Sequence, residues 1–194
     1  MRKLAILTFQ TLDGVMQAPS MPEEDTSGGF DRGGWAAPYW EEVMAQVRTE
    51  AMTEPYDMLF GRKTYELFAP HFSGPGNEGP EARMMNAATK YVASNTLTRL
   101  DWQNSVLISG DIPAEISALK KEEGPLLQIH GSRALIQTLI AHDLIDEFRL
   151  WTFPVLAGAG KCLFAEGVIP ADLELIKTGK TPNGVVMGVY HRRV

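Results

Sequence analysis

Leu59-Phe60-Gly61-Arg62-Lys63-Thr64-Tyr65 runs from an apolar strand, through a glycine turn, into the start of a helix. His130-Gly131-Ser132-Arg133 repeats the pattern after the apolar run Leu126-Leu127-Gln128-Ile129, with Ser132 as the expected helix N-cap. A helix start presents free backbone N–H groups and a partial positive charge, so it holds phosphate well. Arg62, Lys63 and Arg133 add fixed cations at the same two places. Two such sites in one small chain suggest a diphosphate ligand carrying an extra phosphate, which describes NADP(H). The bland alternative at each place is a strand–helix turn with exposed charges.

Working outward, apolar runs and helical spacings alternate. Residues 3–9 read as a buried strand, 38–53 as a helix, 56–60 as a strand and 62–69 as a short helix that ends before a loop from Pro70 to Pro80. A short helix at 80–88 follows, then strands at 91–94 and 106–109, a helix at 113–121, a strand at 126–130 and a helix at 132–142. After that come strands at 146–156, 172–179 and 184–192, the last two joined at Thr181-Pro182-Asn183-Gly184. The expected fold class is α/β in three layers: a central, mostly parallel mixed sheet with an antiparallel C-terminal edge and helices on both faces. In such sheets ligands sit beyond the carboxyl ends of the strands. Asp13, Gly61, Ser94, Ser109 and Gly131 all fall there.

Composition narrows the classes. The 194 residues suit one domain over 1–194, and 44% hydrophobic with 22% charged residues is ordinary for a globular chain. A formal net charge of −6 argues against broad nucleic-acid binding. Cys162 is the single cysteine, which excludes an intrachain disulfide and fits a reduced, cytoplasmic setting. The apolar start is broken by Asp13-Gly14, so it reads as a strand and not a signal peptide, and no run is long enough to span a membrane.

Other features have two readings each. Ser94-Asn95-Thr96 is either loop chemistry or a contact to the adenosine side of the cofactor. Asp13 is either half of an Asp-Gly turn or a carboxylate beside the substrate. Glu41 and Glu42 suit the first turn of a helix, where acids complement the dipole, yet either could manage a proton. The Pro- and Gly-rich stretch 17–35, ending near Trp35, is a long loop of the kind that forms lids. Gly158-Ala159-Gly160-Lys161 lacks the first glycine of a phosphate loop and is followed by Cys162, so a tight turn is expected. Trp102, Trp151, Phe148 and Phe153 are expected in the core or an interface. The four histidines have no metal-ligand spacing, and no Gly-x-Ser-x-Gly elbow occurs.

Taken in order, Thr11-Leu12-Asp13-Gly14, Leu59 to Glu66, Lys90 to Leu97, His130-Gly131-Ser132, Leu144 to Glu147 and Pro154 to Phe164 resemble the dihydrofolate-reductase-like superfamily. The nearer resemblance is to the reductase domain at the C-terminus of the bifunctional riboflavin-biosynthesis protein and its stand-alone bacterial relatives. The resemblance implies NADPH and hydride transfer to a pyrimidine- or pterin-like small molecule. In the riboflavin relatives that substrate is a ribosylamino-uracil phosphate. Carried over by position, Gly61, Arg62, Lys63 and Thr64 would hold cofactor phosphates. Ser94, Asn95 and Thr96 would meet the adenosine end, and Gly131, Ser132, Arg133 and Ala134 the diphosphate. Asp13 and Trp35 would lie near the nicotinamide and substrate, with Glu41 and Glu42 matching the superfamily's first-helix carboxylate only approximately. A homodimer through the late strands is implied, with neither membrane nor nucleic acid as a partner. A nucleotide-binding module that has lost turnover is the competing expectation.

Overall fold

The computed structural model describes residues 1–164 and 168–193. Among the described residues it contains one mixed sheet of eight strands and five α-helices, a three-layer α/β architecture. The strands are β1 (Leu4–Thr11), β2 (Tyr56–Gly61), β3 (Lys90–Ala93), β4 (Ser105–Ile108), β5 (Leu126–Gly131), β6 (Glu147–Phe153), β7 (Leu173–Lys180) and β8 (Val186–Arg192). Their order in the sheet is β4-β3-β2-β5-β1-β6-β8-β7. The helices are α1 (Trp40–Ala51), α2 (Arg62–Ser73), α3 (Pro80–Ala87), α4 (Ile112–Lys121) and α5 (Arg133–Ala141). Contacts group the chain into two compact units.

The first unit comprises Met1–Ile6 and Met52–Asp146. Its strands are all parallel, with Leu4 opposite Leu127, Leu59 opposite both Ile129 and Tyr91, and Val92 opposite Leu107. Parallel strands covered on both faces need unbroken apolar runs, and Met58, Leu59, Phe60, Leu127 and Ile129 are fully buried. α5 turns Leu135, Ile136, Leu139 and Ile140 inward, one stripe of an amphipathic helix.

α2 runs four residues beyond the expected stop, through Pro70 to Ser73. Pro70 removes a single N–H near the helix end, while Tyr65, Phe68 and Phe72 share a stripe that rewards continuation. Phe72 stacks on Trp102 with centroids 6.0 Å apart, and the Tyr65 hydroxyl accepts the Trp102 backbone N–H at 2.9 Å. Ser73 and Asn77 then donate to the carbonyls of Ala69 and His71.

The second unit comprises Leu7–Ala51 and the chain from Glu147 onward. Here β6, β8 and β7 are antiparallel, with Trp151 opposite Met187 and a turn at Thr181–Gly184 where Gly184 has φ +92°. Val43, Val47 and Ala51 form the buried stripe of α1, and the Trp151 indole donates to Gln46 at 2.9 Å. Phe9 packs against Trp40, Trp151 and Phe153. With Trp102 in the first unit and Phe148 in the second also buried, all four aromatic residues expected inside are inside.

Candidate functional site

In the first unit, Gly61, Ser94, Ser109 and Gly131 follow or end parallel strands and so share the carboxyl edge of the sheet. A cleft of about 470 Å³ opens on that edge. Three helix mouths border it: Gly61 and Arg62 at α2, Asp111 to Pro113 at α4, and Ser132 and Ala134 at α5.

Two glycines let α2 and α5 approach each other. A Cβ on Gly61 would stand 2.1 Å from Ser132 Oγ, and a Cβ on Gly131 would stand 2.6 Å from Thr64 Oγ1. The glycines therefore make room for the two hydroxyls, bringing Gly61, Thr64, Gly131 and Ser132 into one cradle. Ser132 occupies the N-cap position of α5, but its side chain does not cap the helix, contrary to the sequence expectation. α2 likewise starts at Gly61 without a side-chain cap. The first-turn N–H groups of both helices thus keep their capacity for an anion. Arg62 is half-exposed and 3.6 Å from Glu66, one turn along α2. Lys63 is exposed, Arg133 is half-buried and Ala134 is exposed.

The β3 loop shows the loop chemistry that is one of its two readings. Ser94 Oγ accepts the backbone N–H groups of Thr96 at 3.1 Å and Leu97 at 3.0 Å. Asn95 donates to the Gly110 carbonyl at 3.1 Å and accepts the Gly110 N–H at 2.6 Å. These two side chains build the loop and tie it to the turn before α4, while Thr96 is exposed. Sequence reasoning missed the α4 mouth itself. Asp111 caps α4 by accepting the Ala114 N–H at 3.2 Å, with Pro113 in the first turn. An Asp-x-Pro run separated from a strand end by two residues is a legible helix start and could have drawn attention to it.

The remaining candidates lie in the second unit. Asp13 accepts from the Thr11 hydroxyl at 2.5 Å, the Ala157 N–H at 3.1 Å and the Gly158 N–H at 2.7 Å. The Thr11 hydroxyl, then the Gly158 and Ala157 amides, lower its pKa to about 2. The carboxylate is therefore ionised at neutral pH and clamps two loops, a poor arrangement for donating a proton. Glu41 and Glu42 are exposed on the first turn of α1, and Glu42 accepts from Asn183 at 2.9 Å. Trp35 is buried: its indole donates to the Gln17 carbonyl at 2.8 Å and meets Phe153 edge-on at 5.1 Å.

The 17–35 loop is tied down. Gln17 donates to the carbonyls of Asp25 and Ser27 and accepts the Lys161 N–H. Lys161 Nζ reaches Asp25 and Ser27, each at 2.5 Å. The Gly158-to-Lys161 segment, expected as a tight turn, bends at Gly158 to Gly160 and anchors this loop through Lys161.

The family model for the RibD C-terminal domain matches residues 2–187. The uncharacterized protein YyaP of Bacillus subtilis (strain 168) is 34% identical over 148 residues, covering 74% of this chain and 77% of YyaP. Among solved structures, one described as a "Putative riboflavin biosynthesis protein" from Shewanella sp. PV-4 aligns at TM-score 0.64 and 22% identity over all of both chains. Dihydrofolate reductase from Enterococcus faecalis, complexed with NADP(H) and RAB-propyl, aligns at TM-score 0.58 and 17% identity over 99% of this chain and 97% of its own. A pyrimidine reductase-like protein from Corynebacterium diphtheriae aligns at TM-score 0.58 and 10% identity over 100% and 92%. With that match across nearly its whole length, and with the sheet edge and helix mouths of a reductase-type fold, the chain belongs to the RibD C-terminal domain family.

Proposed function

We propose that this chain is an NADPH-dependent reductase acting on a pyrimidine- or pterin-like small molecule. The observation that carries the reading is the cleft of the first unit, into which α2 and α5 both open without a side-chain cap beside Arg62. The donor set fits a diphosphate: first turns of α2 and α5 that no side chain caps, two hydroxyls seated on glycines, and cations at Arg62, Lys63 and Arg133. The NADP(H) complex of the Enterococcus dihydrofolate reductase supports the cofactor class, and its name and that of the Corynebacterium pyrimidine reductase-like protein support the substrate classes.

NADPH, when bound, supplies the hydride. Gly61 to Thr64 and Gly131 to Ala134 hold its phosphates, and Ser94, Asn95 and Thr96 shape the loop at its adenosine side. Asp13, ionised, fixes loops of the second unit through the Ala157 and Gly158 amides. Glu41 and Glu42, on the solvent side of α1, are the carboxylates able to pass a proton to and from water. Trp35 anchors the 17–35 loop through its bond to Gln17. The protein works in the cytoplasm as a homodimer; β7 supports the latter with Leu175 and Ile176 about half exposed, and sedimentation tests it.

Titration with NADPH and NADH, followed by nicotinamide fluorescence, tests the cofactor. Tight NADPH and weak NADH binding is expected; equal, millimolar-weak binding of both defeats the reading. A panel of aminouracils, pterins and quinones then identifies the acceptor. The second reading, a nucleotide-binding module without turnover, is favoured by the engagement of Asp13. It gains if NADPH binds tightly and no panel member consumes it.

A further inference from the structure

Of the charged side chains bordering the cleft, Arg62 stands at the α2 mouth and Asp111 at the α4 mouth. The three mouths are therefore unequal. α2 and α5 have no side-chain cap, while α4 is capped by an anion. Beside Asp111 the wall is apolar, made by Ile112 and Pro113 of α4, Leu135 of α5 and Ala93 of β3. Asp111 is held in place from outside its own helix. Gly110, which precedes it, has φ +85° and gives both its N–H and its carbonyl to the Asn95 side chain. A carboxylate so placed offsets the helix dipole locally and repels a second anion over a few ångströms. An apolar wall beside it suits a flat, uncharged ring.

We propose that Asp111 is a specificity-determining residue that acts as a charge filter. It keeps phosphate away from the α4 mouth and reserves that end for the ring of a nucleotide. Phosphates are thereby confined to the α2 and α5 mouths, so a dinucleotide enters in one direction. Asn95 is the positioning residue that presents the filter. The inference rests on the nucleotide reading of the cleft given above.

The test is calorimetric titration of wild type and Asp111→Asn with NADPH, 2′,5′-ADP and adenosine at low and high salt. Asparagine also caps helices, so α4 is retained, and the melting temperature verifies this. Asp111→Ser, a second capping variant, serves if the first does not fold. The expected result is 2′,5′-ADP binding about three- to tenfold tighter in the variant at low salt, with adenosine unchanged within twofold. High salt should erase the difference. Asn95→Ala should blur the discrimination between adenosine and 2′,5′-ADP without removing any of the three cations. If NADPH binds wild type but Asp111→Asn leaves 2′,5′-ADP unchanged, or alters both ligands alike, the filter is overturned and the cofactor reading stands. If wild type binds neither NADPH nor 2′,5′-ADP, both fall.

Discussion

The two edges of the parallel sheet in the first unit are built from opposite materials. At the carboxyl edge, Gly61 and Gly131 leave space for hydroxyls, two helices start without side-chain caps, and the charged groups face solvent. At the amino edge, the charges are inside and already paired. Arg2 is buried and forms an ion pair with Asp57, donates to the Pro125 carbonyl at 2.9 Å and lies over the Tyr91 ring. Lys90 is fully buried, donates to the last carbonyls of α3 at Met85 and Asn86, and stands 4.8 Å from the Trp102 ring centroid. One edge has its polar groups satisfied by the fold; at the other, no side chain caps the two helix starts that border the cleft. Damage at the first should therefore register as lost stability, and damage at the second as lost binding.

The largest effect is expected from Asp57→Asn. It leaves the buried Arg2 guanidinium without its counter-charge and should cost about 3–5 kcal/mol in urea unfolding. NADPH affinity of the folded fraction should stay within twofold of wild type. A loss below about 1 kcal/mol would show that the amino edge does not depend on this pair. Gly61→Ala probes the opposite edge. The new methyl has to displace Ser132 Oγ, now 2.1 Å from where it would stand. NADPH binding should weaken about tenfold or more, with a stability loss of about 1–3 kcal/mol. Undiminished affinity in that variant would break the contrast between the edges.

How far the sequence announces each edge differs too. The carboxyl edge is legible because its chemistry is local: glycine after an apolar run and cations in the next turn mark the junctions of β2 with α2 and of β5 with α5. The alternation of periods likewise yields the order of strands and helices. The amino edge is invisible, because Arg2, Asp57 and Lys90 are 33 residues or more apart and meet only through strand register. The same reason hides the partners of two residues the sequence did single out: Gly110, on the next strand's loop, for Asn95, and the amides of residues 157 and 158 for Asp13. Pro70 misleads in the other direction: a local stop signal is overruled by the packing of Phe68 and Phe72.

Charge removal at the open edge sharpens the comparison at smaller amplitude. Arg62→Gln deletes a half-exposed guanidinium whose bond to phosphate would contribute up to about 1.5–3 kcal/mol before solvent screening. NADPH affinity should fall about tenfold, NADH affinity should change less than twofold, and the melting temperature should hold. Equal losses for the two nucleotides would remove Arg62 from the extra phosphate.

The smallest effect separates the edges by pH. Burial pushes the Lys90 ammonium down to about 8 from 10.5, with Asp57 opposing the shift. An unfolded chain keeps that proton up to about 10.5, whereas burial would have the folded chain release it at lower pH, toward 8. Between those values the unfolded state binds more protons, so this lysine's contribution to stability rises with pH across the window and is flat below it. The two carbonyls and the indole of Trp102 favour the charged form and draw the folded value back toward 10.5, so the rise should be only about 1 kcal/mol. Urea midpoints of wild type and Lys90→Met, compared at pH about 7.5, 9 and 10, isolate it, since the other lysines and tyrosines titrate in both proteins. A wild-type advantage that shrinks as the pH rises would mean that the carbonyls and the ring hold the proton more tightly than water does. Lys90 would then be a cation the amino edge actively retains, and the closed edge would owe its stability to bound charge and not to burial.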